Sequence, residues 1–94
     1  MIAFEKICGQ MYDAFLSLGY PGIGGIADVG EEWAFIQAPK EKGGELPLGD
    51  VPTFVNKENG NTRVMVVDIP DMKLMNEGKS MSVPDRYKPR YEGG

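Results

Sequence analysis

The sequence predicts an α+β domain, in which an N-terminal helix packs on a three- to four-stranded antiparallel sheet and a short second helix lies near the C-terminus. Three observations carry this reading. Phe4, Ile7, Cys8, Met11, Phe15 and Leu18 recur at helical spacing and form one apolar stripe. Runs at 33–38, 53–57 and 62–67 have strand composition, and Asn59-Gly60 stands between the last two. Asp68-Ile69-Pro70-Asp71 has the chemistry of a helix start.

Taken in order, the stripe predicts a helix over 2–18. Glu5, Lys6, Gln10, Asp13 and Ser17 lie off the stripe, Gly19 supplies a left-handed stop and Pro21 blocks continuation. Gly9 is either a weak point in this helix or a place where another element packs close. The glycine-rich stretch 21–30 predicts a short irregular strand within 23–28 and a turn near 28–31. Trp33 to Ala38 alternates, with Trp33 and Phe35 on one face and Ala34 and Ile36 on the other, and Pro39 ends it. Residues 39–52 form a polar loop that Leu46 and Leu48 pin back to the body. Asn59-Gly60 accepts the positive φ of a tight hairpin, so 53–57 and 62–67 pair. Asp68 caps a helix over 70–78, with Pro70 in its first turn and Asp71 complementing its dipole. This helix presents Met72 and Met75, and Gly78 ends it. Residues 80–84 are extended. The reading is of one domain over 1–84, followed by a partly mobile basic tail over 85–94.

Composition narrows the function classes. The formal net charge is −4, which argues against a nucleic-acid binder relying on a positive field. Residues 1–58 hold nine acids and four bases, whereas 59–94 hold five acids and six bases, so the acidic surface belongs to the first half. There is no histidine. That removes the commonest general base, the Ser-His and Cys-His pairs and most transition-metal sites. Cys8 is the single cysteine, so no internal disulfide forms, and its place on the apolar stripe reads as a small core residue. No run approaches a membrane span, and Met1 to Lys6 lacks the basic-then-apolar pattern of a secretion signal. A cytoplasmic location is expected, with neither membrane nor nucleic acid as partner.

The remaining motifs give no catalytic, cofactor or metal set. Gly22-Ile23-Gly24-Gly25 has a helix before it and a strand after it, the reverse of a dinucleotide fingerprint. Asp28, Glu31 and Glu32 cluster at a turn but match no calcium loop. Trp33, Phe35, Phe54 and Tyr20 lack the interleaved bases of a stacking platform and read as core. Met72, Met75 and Met81 suit gap-filling or an adaptable contact surface.

Two stretches resemble small bacterial immunity-type domains of the YrhB-like group. Glu32-Trp33-Ala34-Phe35, a Gly/Pro loop and Pro52 to Gly60 are similar to that group's "W-x-F" strand and "P-x-x-V-x-K-x-x-G" hairpin after an N-terminal helix. Val83-Pro84-Asp85-Arg86-Tyr87 is similar to its "V-P-x-x-Y" close. The resemblance implies a cytosolic, non-enzymatic protein that binds and blocks a toxin. An acidic protein can mask a basic toxin domain and associate fast by steering. The contact acids expected for such a protein partner are Asp28, Glu31, Glu32, Glu41, Glu45 and Asp50. The alternative is an assembly module that forms a homodimer through a sheet edge or a Met-rich surface.

Overall fold

The computed structural model describes residues 2–45, 51–66 and 68–91. Helix α1 spans Phe4–Ser17 and buries Ile7, Cys8, Met11 and Phe15, the stripe read from the sequence. Its end is a Schellman stop. Gly19 N–H donates to the Leu16 carbonyl and Tyr20 N–H to the Phe15 carbonyl, each at 3.0 Å, with Gly19 at φ +92°. The apolar contact that accompanies this motif is the edge-on pair of Phe15 and Tyr20, with ring centroids 6.3 Å apart.

The strands are β1 (Ile23–Asp28), β2 (Glu32–Gln37), β3 (Thr53–Asn56), β4 (Thr62–Val64) and β5 (Lys79–Met81). They form one antiparallel sheet in the order β4-β3-β2-β1-β5. The second helix, α2, spans Ile69–Glu77 between β4 and β5. Its N-cap is Asp68, whose Oδ1 accepts from Asp71 N–H at 3.2 Å, as the Asp-x-Pro-Asp chemistry predicts.

The sheet is covered on both faces. Under α1, Ile23, Ile26, Trp33, Phe35 and Val55 join the helix stripe in one cluster, and Phe4 meets Trp33 edge-on at 5.1 Å. On the other face Ala27, Ala34 and Phe54 form a smaller cluster with Val29, Met65 and Met75 against it. Small residues there let α2 approach; Asp71 is the buried residue of that helix, while Met72 and Ile69 are exposed.

Two expectations are corrected. Among the described residues the sheet has five strands rather than three or four, because residues 79–81 pair with β1 through Ile26–Met81, Ala27–Ser80 and Asp28–Lys79. Three residues with one half-buried side chain carry no readable period. The fourth strand stops at Val64 rather than Val67. Met65 N–H still donates to the Pro52 carbonyl at 2.9 Å, and Val66 N–H, which the register turns away from β3, is held by Asp71 Oδ2 at 2.8 Å. Leu46, Leu48, Asp50 and Val67 lie outside the described residues.

Past β5 the chain runs back along α1 as a strap. A 3-10 turn at Asp85–Tyr87 sets Tyr87 against Tyr12, with centroids 5.4 Å apart, and over Gly9. Arg86 pairs with Glu5. Pro89 lies against Gly22, and Tyr91 O–H donates to the Pro39 carbonyl at 2.7 Å. Gly9 is therefore a place of close approach, the second of the two readings open for it.

Candidate functional site

The β1–β2 turn and the β3–β4 hairpin lie at the same end of the sheet, since the strands alternate in direction. Local chemistry shapes this end. Asp28 Oδ1 accepts from Gly30 N–H at 2.9 Å, an Asx turn, and Gly30 takes φ +108°, which a side chain would resist. Across the hairpin, Asn56 Oδ1 accepts from Glu58 N–H at 2.8 Å, and Gly60 holds φ +75° as the Asn-Gly pair predicts.

Two cations organise the acids. Lys57 Nζ donates to Asp28 Oδ1 at 2.8 Å and stands 5.6 Å from the centre of the Trp33 ring. That hydrogen bond, followed by the one from Gly30 N–H, holds the Asp28 carboxyl below the usual range. Arg63 forks onto Glu32, Nε to Oε2 at 3.0 Å and Nη2 to Oε1 at 2.9 Å. Its Nη1 reaches both oxygens of Asp71 at 3.1 and 3.0 Å, and its guanidinium lies 4.4 Å from the Phe54 ring centre. The Arg63 bonds, with that from Val66 N–H, lower the Asp71 carboxyl; the fork onto Glu32, with the one onto Asp71, raises Arg63. One side chain therefore ties β4, β2 and α2 together.

The expected contact acids among the described residues fall at two ends of the sheet. Asp28, Glu31 and Glu32 sit at the turn end. Glu41 and Glu45 follow β2 at the opposite end, and a strand of that length separates them by roughly 20 Å. Asp50 lies outside the described residues. Of the turn acids, Asp28 and Glu32 are bound to internal cations, while Glu31 is exposed and offers its backbone carbonyl to Lys57 N–H at 3.0 Å.

Open hollows flank that turn. One of about 460 Å³ is lined by Gly30, Glu31, Asn56, Lys57, Glu58 and Asn59. Another of about 370 Å³ lies between Val29, Gly30 and the C-terminal end of α2 at Leu74, Glu77 and Gly78. Both are open to solvent rather than enclosed. Sequence reasoning missed Lys57, Arg63 and Asp71 as the groups that set this end. The only available signal was face parity: Ala34, Phe54 and Arg63 are cross-strand neighbours, and Glu32 shares their face two residues before Ala34.

The chain has no histidine, and no group of three or more Cys, Asp or Glu among the described residues is placed to hold a metal ion. Cys8 is wholly buried, and burial pushes its thiol up to about 11, far from the range of a nucleophile at neutral pH. Among the described residues no helix is long and apolar enough to cross a membrane. No protein-family model matches the chain, and neither a curated protein nor a solved structure matches it.

Proposed function

We propose that the chain is a non-enzymatic protein-binding domain of the cytoplasm, which meets a basic protein surface with the turn end of its sheet. The observation that carries this reading is the position of Glu31. It is exposed on the β1–β2 turn between open hollows, and its neighbours Asp28 and Glu32 are fixed by Lys57 and Arg63. A rigid turn with an outward carboxylate presents charge at little ordering cost on binding. The resemblance to immunity-type domains supports the same reading and specifies the partner as a toxin domain.

The test is co-expression with the product of the neighbouring gene, read as growth protection and as binding of the purified pair. Glu31→Lys should weaken the complex at least about tenfold through a slower association rate. Glu41→Lys, at the far end of the sheet, should leave it unchanged. Absence of protection removes the immunity role, and equal binding by the two variants removes the turn end as the contact surface.

A further inference from the structure

The β3–β4 hairpin holds three of the chain's four asparagines, Asn56, Asn59 and Asn61. Asn59 is exposed and precedes Gly60, whereas Asn56, Asn61 and Asn76 precede Lys57, Thr62 and Glu77. The difference is chemical. A backbone nitrogen can close onto the side-chain carbonyl carbon of the asparagine before it, forming a five-membered imide. A side chain on the attacking residue crowds that ring, and glycine has none.

Hydrogen bonds at the hairpin separate these asparagines further. Asn59 Oδ1 accepts from Asn61 N–H at 2.8 Å, an Asx turn that folds the side chain back over its own peptide to Gly60. Asn56 Oδ1 is taken by Glu58 N–H at 2.8 Å and Asn59 N–H at 3.2 Å. The nitrogen that would attack Asn56, that of Lys57, is tied across to the Glu31 carbonyl at 3.0 Å. Gly60 N–H donates to the Asn56 carbonyl at 2.9 Å. That is a single bond within a solvent-facing turn, where opening is local, so it slows loss of the proton by at most about tenfold.

We propose that Asn59 is a site of spontaneous covalent modification in the folded protein, converted through a cyclic imide to aspartyl and isoaspartyl forms. Hydroxide takes the Gly60 N–H proton, and the nitrogen bonds to Asn59 Cγ. The negative charge that develops on Oδ1 is met by Asn61 N–H, which already points at it. The Cγ–Nδ2 bond then breaks, and Nδ2 leaves as ammonia with a proton from water, which returns the hydroxide. Water opens the imide at either carbonyl. Opening at Cγ leaves an ordinary backbone with an aspartyl side chain; opening at the backbone carbonyl routes the chain through the side chain as isoaspartyl. One water is consumed and one ammonia released, with no oxidant or second protein. Each event adds one negative charge to the formal −4, in the hollow that Asn59 lines with Glu31 and Glu58. The modification does not rest on the function proposed above.

The test is to incubate the full chain near neutral pH and in mild alkali, digest it in acid and read each asparagine peptide by mass spectrometry. A protein-isoaspartate methyltransferase counts the isoaspartyl groups. The Asn59 peptide should gain the mass of an amide-to-acid exchange, while Asn56, Asn61 and Asn76 keep their amides. The rate should rise about tenfold per pH unit, because the amide proton leaves only to hydroxide. It should stay within about tenfold of the rate for the chain unfolded in urea, the most that the Gly60 hydrogen bond withholds. Isoaspartyl product marks the imide route, since direct hydrolysis yields aspartyl alone. Asn59→Asp should co-elute with the aspartyl form on ion exchange and gain no mass. An Asn59 peptide that changes only after unfolding, a product without isoaspartyl, or equal modification of Asn56 and Asn61 overturns the proposal.

Discussion

Replacing Gly22 by alanine should peel the C-terminal strap from the body of the protein. An added Cβ would stand 2.9 Å from both Cα and N of Pro89 and 3.0 Å from the carbonyl carbon of Lys88, against 3.4 Å for the start of ordinary contact. These are backbone atoms, so no rotamer change relieves the clash. If the strap shifts and stays docked, the overpacking costs about 1–3 kcal/mol. If it lifts, the protein loses the Tyr12–Tyr87 ring contact, about 0.5–1.5 kcal/mol, and the Tyr91–Pro39 hydrogen bond, about 0.5–1.5 kcal/mol. The Arg86–Glu5 pair, more than half exposed on both sides, adds little. Both routes converge on about 1–3 kcal/mol, which for a domain of this size lowers Tm by roughly 5–20 °C. Calorimetry measures the total. Trypsin separates the routes, because Arg86 and Arg90, each followed by tyrosine, lie in the strap and become cleavable only if it lifts. A variant with unaltered Tm and unaltered cleavage would refute the seating of Pro89 on Gly22.

Three further outcomes are expected. Gly9→Ala should stabilise the protein by about 0.5–1 kcal/mol in denaturant titration, since alanine gains about 1 kcal/mol in a helix interior and the new Cβ meets only the movable Tyr87 hydroxyl at 3.3 Å; a net loss would mean that Tyr87 cannot give way. Cys8, buried with its thiol raised to about 11, should be alkylated near neutral pH only at the rate of unfolding, and fast labelling of the native protein would contradict its burial. Asp28 and Asp71 have folded values below their unfolded ones, so the stability they contribute is present above the ordinary carboxylate range and is lost as pH falls through the lowered values. Arg63→Met should therefore flatten the acid side of the urea-midpoint profile; an unchanged acid side would show that Arg63 does not hold Asp71 low.

The elements legible in the sequence are those whose signal is local. The α1 stripe, the Gly19 stop, the Trp33/Phe35 face, the Asn59-Gly60 hairpin and the Asp68 cap each depend on residues a few places apart, and each is found where its chemistry places it. What stayed hidden depends on pairs distant in sequence. Lys57 lies 29 residues from Asp28 and Arg63 lies 31 from Glu32; without the β2–β3–β4 register, Asp28 and Glu32 read as solvent-facing charge. Asp71 is closer to its partners in sequence, but it reads as a dipole-complementing acid until the turn into α2 brings its carboxylate back onto Arg63 and Val66 N–H. The strap escapes for the same reason. Tyr87, Pro89 and Tyr91 look like a polar tail until Gly9, Gly22 and Pro39 are brought beneath them.

The strand order also ranks the strand pairings by the length of chain each one closes. Strands β1 to β4 are neighbours in chain order and pair through nearby residues, so their meander can form while loop-closure entropy is small. The pairing of Ile26 with Met81 spans the meander and α2 together, and it carries the largest loop-closure cost of the four pairings. Until residues 79–91 have been synthesised and docked, β1 is itself a bare edge and the Gly9 and Gly22 seats stand empty. A nascent or truncated chain then presents Ile26 and Ala27 beside unpaired amides, a template for aggregation that the finished fold removes. The C-terminal segment thus covers an edge that a chain truncated before it would leave bare.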